Sequence, residues 1–148
     1  MTERSHIEGV EFLLDVLDAR PGTSVLAIDT GPASAVVAEH VGPHGRVHVA
    51  PSATRAYEFT RQEKFDRIYA LDVPEFHEDT AAVAALAPLL ADDGQLWVID
   101  EAGPGEDTGT VSMTVSTVLA QAGFAIVDIL ERGSRVAVWA AIGRRHHG

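Results

Sequence analysis

From Ser5 to Ala19 the apolar residues Ile7, Val10, Phe12, Leu13, Leu14, Val16 and Leu17 recur at helical spacing. The spacing predicts an amphipathic helix, with Ser5 as its cap and Glu8 completing a capping box. Arg20-Pro21-Gly22 stops it. Beyond that point short apolar runs alternate with helical stretches. Val25 to Ile28 reads as a strand, Ala33 to Val41 as a helix ended by Gly42-Pro43, Arg46 to Ala50 as a strand, and Ser52 to Lys64 as a polar helix. Asp66 to Leu71 is the next strand, followed by a helix from about Asp79 to Leu90 and the strand Gln95 to Ile99. A Gly-rich acidic loop, Glu101 to Gly109, leads to a helix from about Thr110 to Ala122. The last strands, Phe124 to Leu130 and Arg135 to Ile142, are separated by Glu131-Arg132-Gly133-Ser134. That link is too short for a crossover helix, so the pair must be an antiparallel hairpin.

Strands alternating with helices predict a three-layer α/β fold, a mostly parallel sheet covered on both faces and closed by the hairpin. With 148 residues and no linker or low-complexity tract, the chain reads as one domain, a helical segment (5–20) on an α/β core (25–142). The absence of Cys removes disulfides, thiolate metal sites and cysteine nucleophiles, and suits a reducing compartment. A net charge of -11 repels phosphate backbones and anionic lipid, and no basic stripe overrides it, so nucleic acid and membrane are not expected partners. The longest apolar run, Ala81 to Ala91, is interrupted by Pro88 and falls short of the ~20 residues that span a bilayer. Met1-Thr2-Glu3-Arg4 leads into an acidic amphipathic stretch rather than a secretory signal. The expected location is the cytoplasm.

In open α/β sheets ligands bind beyond the carboxyl ends of the strands, where strand order reverses. Here those ends are Asp29-Thr30-Gly31, Ala50-Pro51-Ser52, Leu71-Asp72-Val73 and Asp100-Glu101. The Gly31 turn opens a helix whose free N–H groups suit an anion, but it lacks a GxGxxG pattern. Glu101, Glu106 and Asp107 form an acidic rim that reads either as a receptor for a cationic substrate or, more often, as a solvated loop. Glu75 reads as part of a polar loop before a helix. His40, His44 and His48 are spaced by four, but Gly42, Pro43 and Gly45 break any helix there, so no metal site is expected. Ser34, Ser52 and Ser112 lack a nucleophile elbow, and Trp97 and Trp139 sit inside strands as core residues.

The stretch Val25-Leu26-Ala27-Ile28-Asp29-Thr30-Gly31-Pro32-Ala33-Ser34, continued by Gly42-Pro43-His44-Gly45-Arg46-Val47, resembles the first motif and following strand of class I S-adenosylmethionine-dependent methyltransferases. Phe65 to Glu75 is similar to that family's fourth strand. Leu89-Leu90-Ala91-Asp92-Asp93-Gly94-Gln95-Leu96 is similar to the approach to its fifth, and Ala120-Gln121-Ala122-Gly123-Phe124 to its closing segment. The resemblance implies a Rossmann-like methyltransferase fold, with S-adenosylmethionine held around Asp29, Thr30, Gly31, Asp72 and Val73 and substrate near Glu101.

The chain departs from the family where the cofactor would sit. Matching Gly31-Pro32 to the family's Gly-Pro puts Ala27 at the acidic position, Asp29 at the first glycine and Ala33 at the third; a shift that uses Asp29 as the acidic residue keeps Gly31 and replaces the two later glycines by Ala33 and Ala35. The ribose-binding acid falls on Pro51, and the dozen residues from Ala53 to Phe65 hold one helix, leaving no room for the family's third strand. The expected strand order, in the family's numbering, is 2-1-4-5-7-6. These departures imply a methyltransferase-like protein with a degenerate cofactor site, binding S-adenosylmethionine weakly or not at all. Such a chain would serve as a non-catalytic binding, regulatory or dimerisation module for a small molecule or protein. The alternative is an active small-molecule methyltransferase. A second strand left at the sheet edge further implies a homodimer.

Overall fold

The computed structural model describes residues 2–18, 20–28, 33–60 and 64–142, with side chains described over 9–18, 20–28, 33–56 and 64–142. The elements are α1 (Thr2–Leu17), β1 (Ser24–Ile28), α2 (Ala33–Val41), β2 (Arg46–Ala50), α3 (Ala53–Thr60), β3 (Phe65–Leu71), α4 (Glu75–Glu78), α5 (Thr80–Ala84), β4 (Leu90–Glu101), α6 (Thr108–Gln121), β5 (Phe124–Arg132) and β6 (Arg135–Ile142). The sheet order is β2-β1-β3-β4-β6-β5. Strands β2, β1, β3 and β4 run parallel, while β6 is antiparallel to both β4 and β5. This is the expected order with the third strand absent. β2 passes through α3 directly into β3, and β2 forms one edge of the sheet.

Alternation along the strands divides the core between the two faces. Val25, Ala27, Tyr69, Leu71, Trp97 and Ile99 point to one face, where α1 supplies Phe12, Leu13 and Leu17 and α2 supplies Ala33, Val37 and Val41. Leu26, Ile28, Ile68, Ala70, Leu96 and Val98 point to the other, under Ala53, Phe76, Val83, Val111, Val115 and Leu119. Trp97 and Trp139 stack in register across β4 and β6, centroids 5.6 Å apart. At the turn into β2, a Cβ on Gly45 would lie 2.6 Å from Val41 Cβ and 2.8 Å from the Thr23 carbonyl oxygen. Because backbone blocks it, Gly45→Ala is expected to destabilise the fold by about 1–3 kcal/mol, read by urea denaturation.

Several boundaries differ from the sequence expectation. Helix α1 already runs from Thr2, so Ser5 lies inside it rather than capping it, and it ends at Leu17; Ala19 lies outside the described residues. The single helix expected over 79–90 is two short pieces, preceded by α4. Asp79 accepts a hydrogen bond from the Ala82 N–H at 3.0 Å and so starts α5 afresh, and Pro88 sits in a 3-10 turn, Ala87–Leu89. Strand β4 begins five residues early, the extra length being absorbed by a register shift between Phe65↔Leu90 and Arg67↔Gln95. Helix α6 starts at Thr108 because Asp107 is its cap. The hairpin turn is only Gly133-Ser134, with Gly133 at φ 61° as a tight turn requires.

Candidate functional site

The carboxyl ends of β3 and β4 carry the polar residues that the core strands bring together. Asp72 follows β3 with φ 55°, a left-handed conformation that Asp tolerates better than most side chains. Its N–H donates to the Ile99 carbonyl at 2.9 Å, which ties the turn to β4. Its Oδ1 accepts from Arg135 Nη1 at 2.8 Å, and Arg135 Nη2 lies 3.9 Å from Glu101 Oε1. The Arg135 side chain is 4% exposed and that of Asp72 43%, so a buried guanidinium is neutralised by carboxylates at its mouth. Glu101 Oε2 also accepts from Ser134 Oγ at 3.1 Å.

On the other face of the same strand ends, Asp100 is buried, and its Oδ2 is 3.0 Å from His77 Nε2 on α4. Burial pushes the Asp100 carboxyl up, partly offset by the His77 hydrogen bond. That bond raises the His77 imidazole above its ordinary value, against the opposing effect of burial. Together Asp72, Pro74, His77, Glu78, Asp100 and Glu101 line a cleft of about 480 Å³. His77 and Glu78 are shared with a groove of about 640 Å³ running between α5 and α6 past Thr110, Met113 and Gln121.

Both shifts have the same sign for stability. A raised imidazole contributes stability that is complete below its ordinary value and lost as pH climbs through the folded value. A raised carboxyl disfavours the folded state once pH exceeds the ordinary carboxylate range. Stability is therefore expected to fall between about pH 6 and pH 8. His77→Gln should flatten that fall, as read by thermal unfolding at both pH values.

Of the residues expected to hold cofactor or substrate, Asp29, Thr30 and Gly31 lie outside the described residues. Asp72 and Glu101 come together at the cleft, both engaged with Arg135. Val73 is a core side chain beneath it. Asp100 is named by the sequence only as a strand end, and His77 and Arg135 are not singled out by it. Glu75, expected in a polar loop, instead opens α4 and reaches from the end of β3 to the start of α3. It accepts from Ala53 N at 2.6 Å, Thr54 N at 3.3 Å and Thr54 Oγ1 at 2.9 Å. The tie therefore joins the segments that follow β2 and β3, the strands on either side of β1. The rim carboxylates are used locally. Glu106 accepts from Gly103 N at 3.0 Å and Asp107 from Thr110 N at 2.7 Å, which holds the Asp107 carboxyl below the usual range. Among the described residues no group of three His, Asp or Glu could hold a metal ion.

No family model matches the sequence, and no curated protein matches it. Solved structures do. Fibrillarin from Aeropyrum pernix, with natively bound S-adenosyl-L-methionine, superposes with a TM-score of 0.65 at 17% identity, covering 92% of this chain and 74% of that one. Methanococcus jannaschii fibrillarin gives a TM-score of 0.64 at 16% identity over 84% and 68% of the two chains. The 1,6-didemethyltoxoflavin-N1-methyltransferase of Burkholderia thailandensis, with S-adenosylhomocysteine bound, gives 0.64 at 17% over 90% and 76%. The chain has the class I S-adenosylmethionine-dependent methyltransferase fold.

Within a methyltransferase fold, the nucleotide part of the crevice can be tested against the groups that line it. The end of β2, where the ribose acid is expected, presents Pro51 and then Ser52, whose Oγ accepts from Arg55 N at 3.2 Å. The Glu75 carboxylate, which reaches the start of α3, is taken up by three donors there. Neither Pro51 nor Ser52 offers a carboxylate to a ribose at the end of β2. No helix among them is long and apolar enough to cross a membrane.

Proposed function

We propose that this is a methyltransferase-like protein whose crevice binds S-adenosylmethionine weakly or not at all, acting in the cytoplasm as a non-catalytic binding or regulatory module. The observation carrying this reading is the direct passage of β2 through α3 into β3, with Pro51 after β2 where the family's ribose acid is expected and Glu75 engaged by the first turn of α3. Each charge-assisted hydrogen bond to a ribose hydroxyl contributes roughly 1.5–3 kcal/mol, so losing one weakens binding about tenfold or more. The retained cleft at Asp72, His77 and Asp100 is where a small molecule or a protein side chain would be received.

A thermal-shift titration tests it. A ligand at 100 times its dissociation constant adds about 2.7 kcal/mol, or roughly 5–10 °C at this chain length. Millimolar S-adenosylmethionine or S-adenosylhomocysteine is expected to leave the melting temperature unchanged.

The second reading, an active small-molecule methyltransferase, is favoured by the His77–Asp100 pair facing the cleft. A buried carboxylate orienting an imidazole is the arrangement of a general base. That reading instead requires a clear thermal shift with the cofactor, reduced by Asp72→Ala.

A further inference from the structure

Two observations at the far edge of the sheet point the same way. Helix α6 lies at the surface yet contains no charged residue over its fourteen positions, in a chain whose charged residues make up 22%. Beside it, β5 is the edge strand opposite β2, with Val127, Ile129 and Leu130 exposed. A long apolar edge strand offers unpaired backbone groups to another chain, and a surface helix without charges is unusual unless something covers it.

We propose that β5 and α6 form a two-fold interface with a second copy of this chain, β5 pairing antiparallel with β5 of the second copy to continue the sheet. The charge pattern along β5 favours self-pairing. Asp128 and Arg132 are four residues apart, so they share a face. Arg132 Nη1 now donates to Asp15 of α1 at 2.6 Å. An antiparallel pair centred on Leu130 sets each Asp128 opposite Arg132 of the second copy, twice over, so that Asp128 of the second copy joins or replaces Asp15 as its partner. The Ile129 N–H, now accepted by its neighbour's carboxylate Asp128 Oδ1 at 2.8 Å, would pass to the second copy's backbone and release Asp128 for that pairing.

The helix geometry agrees. Helix α6 packs over β6 and β5, and strands lie about 4.8 Å apart. A β5–β5 seam therefore brings the two α6 helices about 10 Å apart, within the range of packed helices. One flank of α6, with Thr110, Met113 and Gln121, faces the groove towards α5. On helical spacing the opposite flank carries Ser112, Ser116 and Ala120, small residues that permit close approach. For a chain with net charge -11, two copies of the charge-free helix α6 also approach without repulsion. The β2 edge, where the sequence led us to expect dimerisation, is a poorer candidate. It has five residues against nine and includes Arg46 and His48. The proposal is independent of whether the crevice binds cofactor.

Sedimentation equilibrium of the full chain at tens of micromolar should give twice the 15.8 kDa chain mass. Asp128→Arg alone and Arg132→Asp alone should each give the single-chain mass, because each places like charges opposite one another. An equimolar mixture of the two variants should regain the doubled mass, since both cross-pairs then become complementary. Val49→Lys on β2 should leave the dimer intact. Independently of any variant, hydrogen exchange at the Ile129 amide should slow several-fold as wild-type concentration rises. A monomeric wild type, a mixture that stays monomeric, a dimer dissolved by Val49→Lys, or an Ile129 amide insensitive to concentration would each overturn the proposal.

Discussion

Arg135→Ala is expected to lower stability by about 2–3 kcal/mol, the lower part of the range for breaking a buried ion pair, because Asp72 is nearly half exposed. The loss has two sources. The guanidinium neutralises Asp72 at 2.8 Å with Glu101 nearby, so its removal leaves two carboxylates facing each other at the cleft. Its bulk also fills the space under α1, where a Cβ on Gly9 would come within 2.8 Å of Arg135 Cζ. Arg135→Met, which keeps much of that bulk, should cost less. Gly9→Ala should be more favourable in the Arg135→Ala background, where the helix gains about 1 kcal/mol from the added Cβ, than in the wild type, where that Cβ meets the guanidinium. Urea denaturation of the four chains in the Gly9/Arg135 cycle measures this, and simple additivity would contradict the packing account.

Phe76→Ala should be larger still. Phe76 is fully buried on α4, a helix of only four residues, and removing such a ring costs about 3–5 kcal/mol out of the 5–15 kcal/mol typical of a whole domain. The effect should reach the site. Phe76 anchors the turn that carries His77 to Asp100, so in a chain that still folds, an NMR titration should show the His77 imidazole moving back down towards its ordinary value. A stable Phe76→Ala variant with an unshifted His77 would mean that α4 is held by something other than its buried ring.

The apolar periodicity of the chain carried most of the architecture. Helix α2 and strand β2 fall where spacing and the Gly42-Pro43 stop put them, and the four-residue link after Leu130 dictated the hairpin. The missing third strand followed from counting residues between Ala53 and Phe65. Local chemistry was harder to see. Asp79 and Asp107 act as caps that redirect helices, and an Ala-rich composition gave no sign that the run from Asp79 would break.

The site was legible only in part. Asp72 and Glu101 stood out as strand-end acids, but their shared partner Arg135 lies 63 and 34 residues further along, at the start of an otherwise apolar strand. Asp100 closes a core strand, and a carboxylate buried there needs a partner. That requirement was the available signal for His77, although only the fold shows which of the histidines comes within 3.0 Å.

On the proposed reading the crevice keeps the fold of a methyltransferase without its hold on the nucleotide. Equilibrium dialysis of the wild-type chain and of Pro51→Asp against labelled S-adenosylmethionine tests it most directly. No retention by the wild type up to millimolar ligand, with or without a gain in Pro51→Asp, is the predicted result. Stoichiometric retention by the wild type at micromolar ligand would contradict it.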